Sequence, residues 1–126
     1  MRDQLPWLGS GFVAIAALDL EPLIQFYRRL WQQDPHPYEG DRYGEFHLGS
    51  LRLVLFRPQG SQGASFAPTP PGSLSICVTV RDLAAAIAHC QDLGLTVDPP
   101  LKASHGQEFQ IRDPLGNRII FYQPTQ

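Results

Sequence analysis

Glu45 and His47 could act as a general acid–base pair, because carboxylate and imidazole groups exchange protons in enzyme sites. The segment around them alternates polar and apolar residues as a half-buried strand does, so residues two apart share a face. A shared face does not by itself make a catalytic pair. We therefore interpret Glu45 and His47 as cross-strand partners or ligand contacts, with catalysis as the alternative. Together with Glu108, they are also the alternative set for a metal site.

The two cysteines, Cys77 and Cys90, are the candidates for nucleophilic chemistry. A nucleophilic cysteine needs a neighbour that stabilises its thiolate, and the sequence fixes no such neighbour. Two cysteines are also too few for a disulfide framework or a zinc-finger set. We expect two buried or half-buried thiols in a reducing cytoplasm. The sequence contains no Gly-rich phosphate loop, nucleophile elbow or Ser–His–Asp order.

The elements that must position these residues occur twice along the chain. An apolar run over 12–18 precedes Asp19-Leu20, and a second run over 74–80 precedes Arg81 and Asp82-Leu83. Each Asp-Leu pair is followed by apolar residues at helical spacing, and aspartate is a good N-cap. The two pairs lie 63 residues apart in a chain of 126 residues, which indicates two copies of one unit.

Each copy ends in a predicted β-hairpin. In the first copy, segments 42–48 and 51–57 flank Gly49-Ser50, which predicts a two-residue type II′ turn. In the second copy, segments 107–112 and 118–123 flank the turn Asp113-Pro114-Leu115-Gly116-Asn117. Aspartate can bond the backbone two residues on, proline fixes φ, and glycine and asparagine tolerate positive φ.

Each copy also has room for a short strand after its helix, near Pro37-Tyr38 and over 95–97. The unit is therefore βαβββ, present as module one over 12–57 and module two over 74–124. A chain of 126 residues fits a single domain, 1–126. Segment 58–73, with four Pro, three Gly and three Ser, predicts an exposed, mobile inter-module loop.

Paired βαβββ modules, an Asp-Leu helix start in each and the Asp113–Asn117 turn together resemble the vicinal oxygen chelate superfamily. This is the fold of glyoxalase I, bleomycin resistance proteins and extradiol dioxygenases, and the resemblance covers roughly 12–124. It implies an α+β fold in which the modules form a U-shaped, partly open barrel-like sheet with helices on the outer face. In the family, the concave face holds a small molecule and, in the enzymes, a divalent metal.

The resemblance also implies where metal ligands would stand. The family's ligands come from the first and last strand of each module, and the matching residues here are Phe12, Val54, Ser75 and Ile120. Three of these side chains carry no donor atom, and a neutral serine hydroxyl is a poor ligand. We therefore expect no cofactor, no catalytic residue and a protein that binds its ligand without converting it. The alternatives are a lyase, isomerase or dioxygenase-type enzyme of the same superfamily, or a ligand-free interaction module.

Strand alternation predicts which residues share the concave face with these four positions. The opposite parity is almost wholly apolar and is expected under the helices. The predicted ligand-binding residues are Phe12, Glu45, His47, Arg52, Phe56, Ser75, Glu108, Gln110, Arg112, Arg118 and Tyr122. Their aromatic rings can stack on a planar group, and their arginines can hold a carboxylate or phosphate. The expected partner is a small organic molecule, aromatic and anionic.

Charge and composition bear on the other partners. Ten Lys+Arg residues against 12 Asp+Glu residues give a net charge of −2, and no basic run occurs. Nucleic acid and anionic membranes both need clustered positive charge, so we expect neither as a partner. Open sheet edges and apolar helix surface predict a homodimer.

Overall fold

The computed structural model describes residue 6 and residues 10–59 and 74–125. The predicted mobile loop over 58–73 lies outside the described residues from position 60 onward. No helix in the described ranges is both long enough and apolar enough to cross a membrane. The elements are β1 (Val13–Ala16), α1 (Leu20–Trp31), β2 (Tyr43–Leu48), β3 (Leu51–Phe56), β4 (Ser75–Thr79), α2 (Leu83–Asp92), β5 (Leu101–Ala103), β6 (Gly106–Arg112) and β7 (Arg118–Pro124).

The strands form two sheets, one for each module. In the first sheet, β3 pairs in parallel with β1 and antiparallel with β2. In the second sheet, β7 pairs in parallel with β4 and antiparallel with β6, and β5 continues the sheet beside β6. The predicted α+β class is confirmed, and the described strands do not close into a barrel.

Both helices begin after the predicted aspartates. The carboxylate of Asp82 accepts a hydrogen bond from the backbone nitrogen of Ala85 at 3.1 Å, a capping interaction that stabilises a helix by about 1 kcal/mol. The side chain of Asp19 makes no such bond, although its backbone is extended. The start of α2 is thus encoded locally. In contrast, α1 depends on the burial of its apolar face against both strands of the β2–β3 hairpin.

The two predicted hairpin turns are present. Gly49 has a φ of 61°, in the left-handed region that the first central position of a type II′ turn requires. Gly116 has a φ of 87°. In this second turn, Oδ1 of Asp113 accepts hydrogen bonds from the backbone nitrogens of Leu115 and Asn117, both at 2.9 Å. The aspartate therefore closes the turn as its sequence pattern predicts.

The short strands predicted after each helix differ from the structure. Near Pro37, only one isolated bridge forms, between Tyr38 and Gly44. The prediction of a strand over 95–97 was wrong, because the strand forms later, at β5. Only two residues separate β5 from β6, and such a short turn brings the two segments into register directly.

One core joins the two modules. Trp31 of α1 packs against Phe121 of β7, with ring centroids 6.0 Å apart, so the first helix contacts the second sheet. Seven strand residues of the predicted apolar face are buried, namely Phe46, Leu53, Leu55, Phe109, Ile111, Ile119 and Phe121, and the eighth, Leu48, is half-buried. The contrast predicted by alternation is clear in the second sheet, whereas in the first sheet Glu45 and Val54 of the opposite face are buried as well.

A buried hydrogen bond also connects the modules. The hydroxyl of Tyr27 in α1 donates to Oδ2 of Asp113 at 2.7 Å, and both residues are buried. Burial, and then the charge and hydrogen bond of Asp113, raise the pKa of Tyr27 far above its ordinary value, so the hydroxyl keeps its proton. Oδ2 also accepts from the side-chain amide of Asn117 at 2.9 Å. With the two backbone donors of the turn, this carboxylate accepts four hydrogen bonds.

Candidate functional site

The face of each sheet that points away from the helices is here called the open face. Cross-strand pairing places alternate residues on it, because paired residues share a face. The first sheet contributes Ala14, Ala16, Tyr43, Glu45, His47, Arg52, Val54 and Phe56, with Phe12 directly before β1. The second sheet contributes Ser75, Cys77, Thr79, Glu108, Gln110, Arg112, Arg118, Ile120 and Tyr122. All eleven predicted ligand-binding residues thus lie on or beside this face.

On the first sheet, the carboxylate of Glu45 is buried and surrounded by donors. Arg52 donates Nε to Oε2 at 2.7 Å and Nη2 to Oε1 at 3.1 Å. The hydroxyl of Tyr43 donates to Oε1 at 2.9 Å, and Nε2 of His47 lies 3.2 Å from Oε2. The hydrogen bonds from Arg52 are the main cause that lowers the pKa of Glu45 to about 2. Glu45 is therefore ionised at neutral pH and a poor proton donor or acceptor.

Arg52 also contacts Phe12. Its guanidinium carbon lies 4.8 Å from the centre of the Phe12 ring, a cation–π geometry. Phe12 nevertheless keeps 53% of its surface exposed, so the ring is accessible from solvent. Because Arg52 already forms a two-bond ion pair with Glu45, it orients Phe12 and Glu45 rather than presenting an unpaired charge to a ligand.

We expect the folded state to lose stability as the pH falls from about 4.5 to about 2. The pKa of Glu45 lies below its ordinary value of 4.5, so its bonds stabilise the fold fully above that pH. The contribution then disappears as the pH drops through the folded-state pKa of about 2. Urea unfolding across this range should show a smaller decline for Glu45→Gln, which cannot ionise. If the free energy of unfolding declines equally in both proteins, the ionised Glu45 does not stabilise the fold.

The segment after α1 covers the outer edge of β2 and holds these residues in place. The side-chain amide of Gln33 donates to the backbone oxygen of His47 at 3.1 Å and accepts from its nitrogen at 3.0 Å. The backbone nitrogen of His36 donates to the oxygen of Glu45 at 2.9 Å, and that of Glu45 donates to the oxygen of Pro37 at 3.1 Å. The exposed ring of His47 therefore projects from a fully bonded stretch of backbone.

On the second sheet, two arginines lie at the end nearest the Asp113–Asn117 turn. Arg112 and Arg118 are direct cross-strand partners. Nη1 of Arg118 donates to Oγ of Ser75 at 3.1 Å, and Nη1 of Arg112 donates to the backbone oxygen of Gly116 at 3.1 Å. Arg112 is exposed, whereas Arg118 and Ser75 are half-buried. This end of the open face is positively charged.

The other end of the second sheet carries Tyr122 and Glu108, which are cross-strand partners and both half-buried. The hydroxyl of Tyr122 donates to the backbone oxygen of His105 at 2.8 Å. The two rings of Tyr122 and His105 lie 5.8 Å apart, tilted by 36°. Tyr122 is therefore held at both its hydroxyl and its ring. Along the open face of this sheet, the charge changes from positive at the two arginines to negative at Glu108.

Between these ends, the open face carries small or half-buried side chains. Cys77 and Thr79 are exposed, and Gln110 and Ile120 are half-buried. The prediction that both thiols are buried or half-buried was therefore wrong for Cys77, whose strand parity points it away from the core. Cys90 of α2 is buried, and burial raises the pKa of its thiol to about 11.

The residues at the four positions that the family resemblance assigns to metal ligands do not fit a metal ion. Phe12, Val54 and Ile120 have hydrocarbon side chains, and these offer a cation no donor atom. The Ser75 hydroxyl accepts a hydrogen bond from Arg118, whose positive charge opposes a neighbouring cation. We therefore derive no chemistry through a metal at these positions.

The alternative metal set is not brought together either. Glu45 and His47 are neighbours on the first sheet, and Glu108 lies on β6 of the second. Throughout residues 10–59 and 74–125, no group of three or more His, Cys, Asp or Glu side chains is arranged to hold a metal ion.

A cleft of about 500 Å³ lies beside Gln110, Ile111 and Arg112 of β6, beyond the residues that pair with β5. It has the size of a small-molecule pocket and includes two predicted ligand-binding residues, Gln110 and Arg112. Its other wall is the segment after α2, with Gly94, Leu95, Thr96 and Asp98. A second cleft, of about 350 Å³, adjoins the end of β3, where Arg57 and Asp41 form an ion pair at 2.8 Å.

Tyr43 is a member of the open face that was not predicted from the sequence. This residue lies two positions before Glu45 and opposite Phe56, so it has the same parity. Its hydroxyl supplies one of the hydrogen bonds that hold the Glu45 carboxylate. Extending the alternation by one more step toward the start of β2 would have found it.

Comparisons with solved structures show the same fold in proteins of several functions. TnmS3, an antibiotic binding protein from Streptomyces sp. CB03234, is 25% identical with a TM-score of 0.71, covering 97% of this chain and 100% of that chain. Lactoylglutathione lyase from Agrobacterium tumefaciens is 24% identical with a TM-score of 0.71, covering 94% and 96%. The fosfomycin resistance protein FosX from Listeria monocytogenes is 12% identical with a TM-score of 0.74, covering 94% of each chain.

The sequence itself also matches a family. No curated protein matches it significantly. A family model described as Glyoxalase/Bleomycin resistance protein/Dioxygenase superfamily matches residues 9–121, most of the chain. This match confirms the resemblance inferred from the repeated modules and the Asp113–Asn117 turn. The chain belongs to the glyoxalase/bleomycin resistance protein/dioxygenase superfamily.

Proposed function

We propose that this protein binds a small organic molecule on its open face, without a metal cofactor and without converting it. One observation carries the proposal. The positions assigned to metal ligands hold Phe12, Val54, Ser75 and Ile120, while the rest of the face carries aromatic and hydrogen-bonding groups. A mixed surface of this kind is typical of sites that recognise small molecules.

The ring-binding part of the proposed site is centred on Phe12. This phenyl group is 53% exposed, and Arg52 holds it from one side at 4.8 Å. Next to it on β1, Ala14 and Ala16 have small side chains that leave room above the sheet. An aromatic ring stacked on Phe12 would gain about 0.5–1.5 kcal/mol beyond the burial of area. The ligand is therefore proposed to contain a planar ring.

The similarity to TnmS3 supports binding rather than turnover. That protein is an antibiotic binding protein, and the alignment spans 97% of this chain at 25% identity. We propose a ligand of the same general kind, a small ring-containing organic molecule. The lactoylglutathione lyase, at 24% identity, supports the fold alone.

A thermal-shift screen with ring compounds of different charge, from anionic aromatics to cationic antibiotics, tests this proposal. Binding to the native state raises the melting temperature in proportion to ln(1 + [L]/Kd). We expect hits that disappear in Phe12→Ala. Leu18→Ala is the matched control, because Leu18 is also an exposed apolar residue, 61% accessible, just beyond β1. A screen without hits, or hits that survive in Phe12→Ala, would contradict the proposed site.

We also propose that the protein is a homodimer in the cytoplasm. Val13 on β1 and Leu74 directly before β4 are 40% and 89% exposed, and both strands lie at sheet edges that pairing would cover. The exposed thiol of Cys77 suits a reducing compartment. Light scattering should give about 28 kDa, twice the 14.1 kDa of one chain. A mass of about 14 kDa at micromolar concentration would show a monomer.

A further inference from the structure

Arg112 and Arg118 form an unusual pair on the open face. They are direct cross-strand partners, and like charges in that position destabilise a sheet. Neither of them forms an ion pair with a carboxylate in the described part of the chain. Of the other described arginines, Arg28, Arg52 and Arg57 form such pairs, and Arg29, Arg42 and Arg81 do not. The two guanidinium groups therefore have no ion-pair partner among the described residues.

The nearest acidic side chains do not neutralise this pair. Glu108 shares the face with Arg112 but lies four residues away on β6, about 13 Å along a strand. That distance exceeds the screening length of roughly 8–10 Å at physiological salt. Asp113 follows Arg112 directly, yet its carboxylate is buried and bonded to Tyr27. Asp98 and Arg112 both line the cleft beside β6, but they form no ion pair with each other.

Both guanidinium groups are held in place and keep donors to spare. Arg118 is anchored by one bond to Ser75, and Arg112 by one bond to Gly116. A guanidinium has five N–H donors in a planar fork, so each arginine retains donors for a further partner. Gln110, half-buried and two residues before Arg112, adds an amide on the same face. The arrangement is suited to an oxyanion, whose two oxygens match the fork.

We infer that the Arg112–Arg118 end of the open face binds an oxyanion of the ligand, a carboxylate or phosphate group. This inference rests on the proposed function and specifies which arginines recognise the charge. Arg52 does not take this role, because its guanidinium already donates two hydrogen bonds to the carboxylate of Glu45. The ligand is thus an anionic ring compound whose charged group is recognised by the second sheet.

The test uses three probes with the same ring and different charge: 2-naphthoate, 2-naphthalenemethanol and 2-naphthylmethylamine. Calorimetric titration should show naphthoate binding about 10-fold or more tightly than the alcohol, since a hydrogen bond to a charged group is among the strong ones. In Arg118→Gln, we expect that advantage to disappear while the affinity for the alcohol stays the same. Arg118→Lys keeps the positive charge but not the planar guanidinium group, so it should retain part of the preference for naphthoate over the alcohol.

Arg29→Gln is the matched control for charge removal, because Arg29 is an exposed arginine on α1, away from the open face. It should leave the affinities for naphthoate and the alcohol unchanged. Equal affinities of wild-type protein for naphthoate and the alcohol would overturn the oxyanion site and leave the proposed function standing. A naphthoate preference that persists in Arg118→Gln would overturn it too. If none of the three probes binds, both the oxyanion site and the proposed function are overturned.

Discussion

Asp113→Ala is expected to lower the free energy of unfolding by about 3–5 kcal/mol. The carboxylate of Asp113 is buried and accepts four hydrogen bonds, from Tyr27, from Asn117 twice and from Leu115. Removing it leaves the buried hydroxyl of Tyr27 without its acceptor, which costs about 1–3 kcal/mol, and also removes the three bonds from part-buried donors of the turn. The loss affects both the turn and the contact between α1 and the second module.

Two further variants separate these contributions. Tyr27→Phe removes only the bond between the modules and should cost about 1–3 kcal/mol. Asp82→Ala is the control, since the side chain of this aspartate makes a single capping bond, worth about 1 kcal/mol. Urea unfolding gives the free energy of unfolding of Asp113→Ala, Tyr27→Phe and Asp82→Ala. If Asp113→Ala costs no more than Asp82→Ala, the carboxylate does not join the two modules.

Only half of this interaction could be predicted from the sequence. The turn at Asp113 was predicted because its pattern is local: aspartate, proline, glycine and asparagine each suit one turn position. The partner, Tyr27, lies 86 residues earlier, in the helix predicted after Asp19-Leu20. Which buried hydroxyl meets which buried carboxylate depends on how the modules pack, and spacing along the chain does not encode that.

Phe121→Ala should cost about 3–5 kcal/mol, whereas Tyr122→Ala, its neighbour on the same strand, should cost far less. Phe121 is buried, stacks on Phe109 with centroids 4.8 Å apart and contacts Trp31. Tyr122 is half-buried on the open face, and its hydroxyl bond to His105 is exposed. The two variants remove aromatic rings of similar size from opposite faces of β7, so their difference measures which face is the core.

Chemical unfolding of both variants gives this difference directly. Equal costs, or a larger cost for Tyr122→Ala, would mean that the open face is packed and not available to a ligand. Phe121→Ala should also lower the melting temperature of the ligand-free protein, whereas Tyr122→Ala should change it far less.

The two faces were predictable because alternation along a strand has a period of two, and a two-residue hairpin fixes which residues pair. The partners of the charged residues could not be predicted in this way. Glu45 lies directly opposite Val54, and Arg52 reaches it diagonally, so the ion pair depends on side-chain conformation. From sequence alone, Arg52 and Arg118 are equivalent cations on one face. The structure distinguishes them: Arg52 meets a carboxylate, and Arg118 meets the hydroxyl of Ser75.

The most direct test of metal-free ligand binding is a calorimetric titration of 2-naphthoate into protein purified without chelators and into the same protein treated with EDTA. We predict saturable binding of one equivalent per chain, with the same Kd in both samples, because Phe12, Val54, Ser75 and Ile120 offer a metal no adequate donor set. Loss of binding in EDTA and its recovery on adding Zn²⁺, Ni²⁺, Mn²⁺ or Fe²⁺ would contradict the account, and would favour a metal-dependent enzyme.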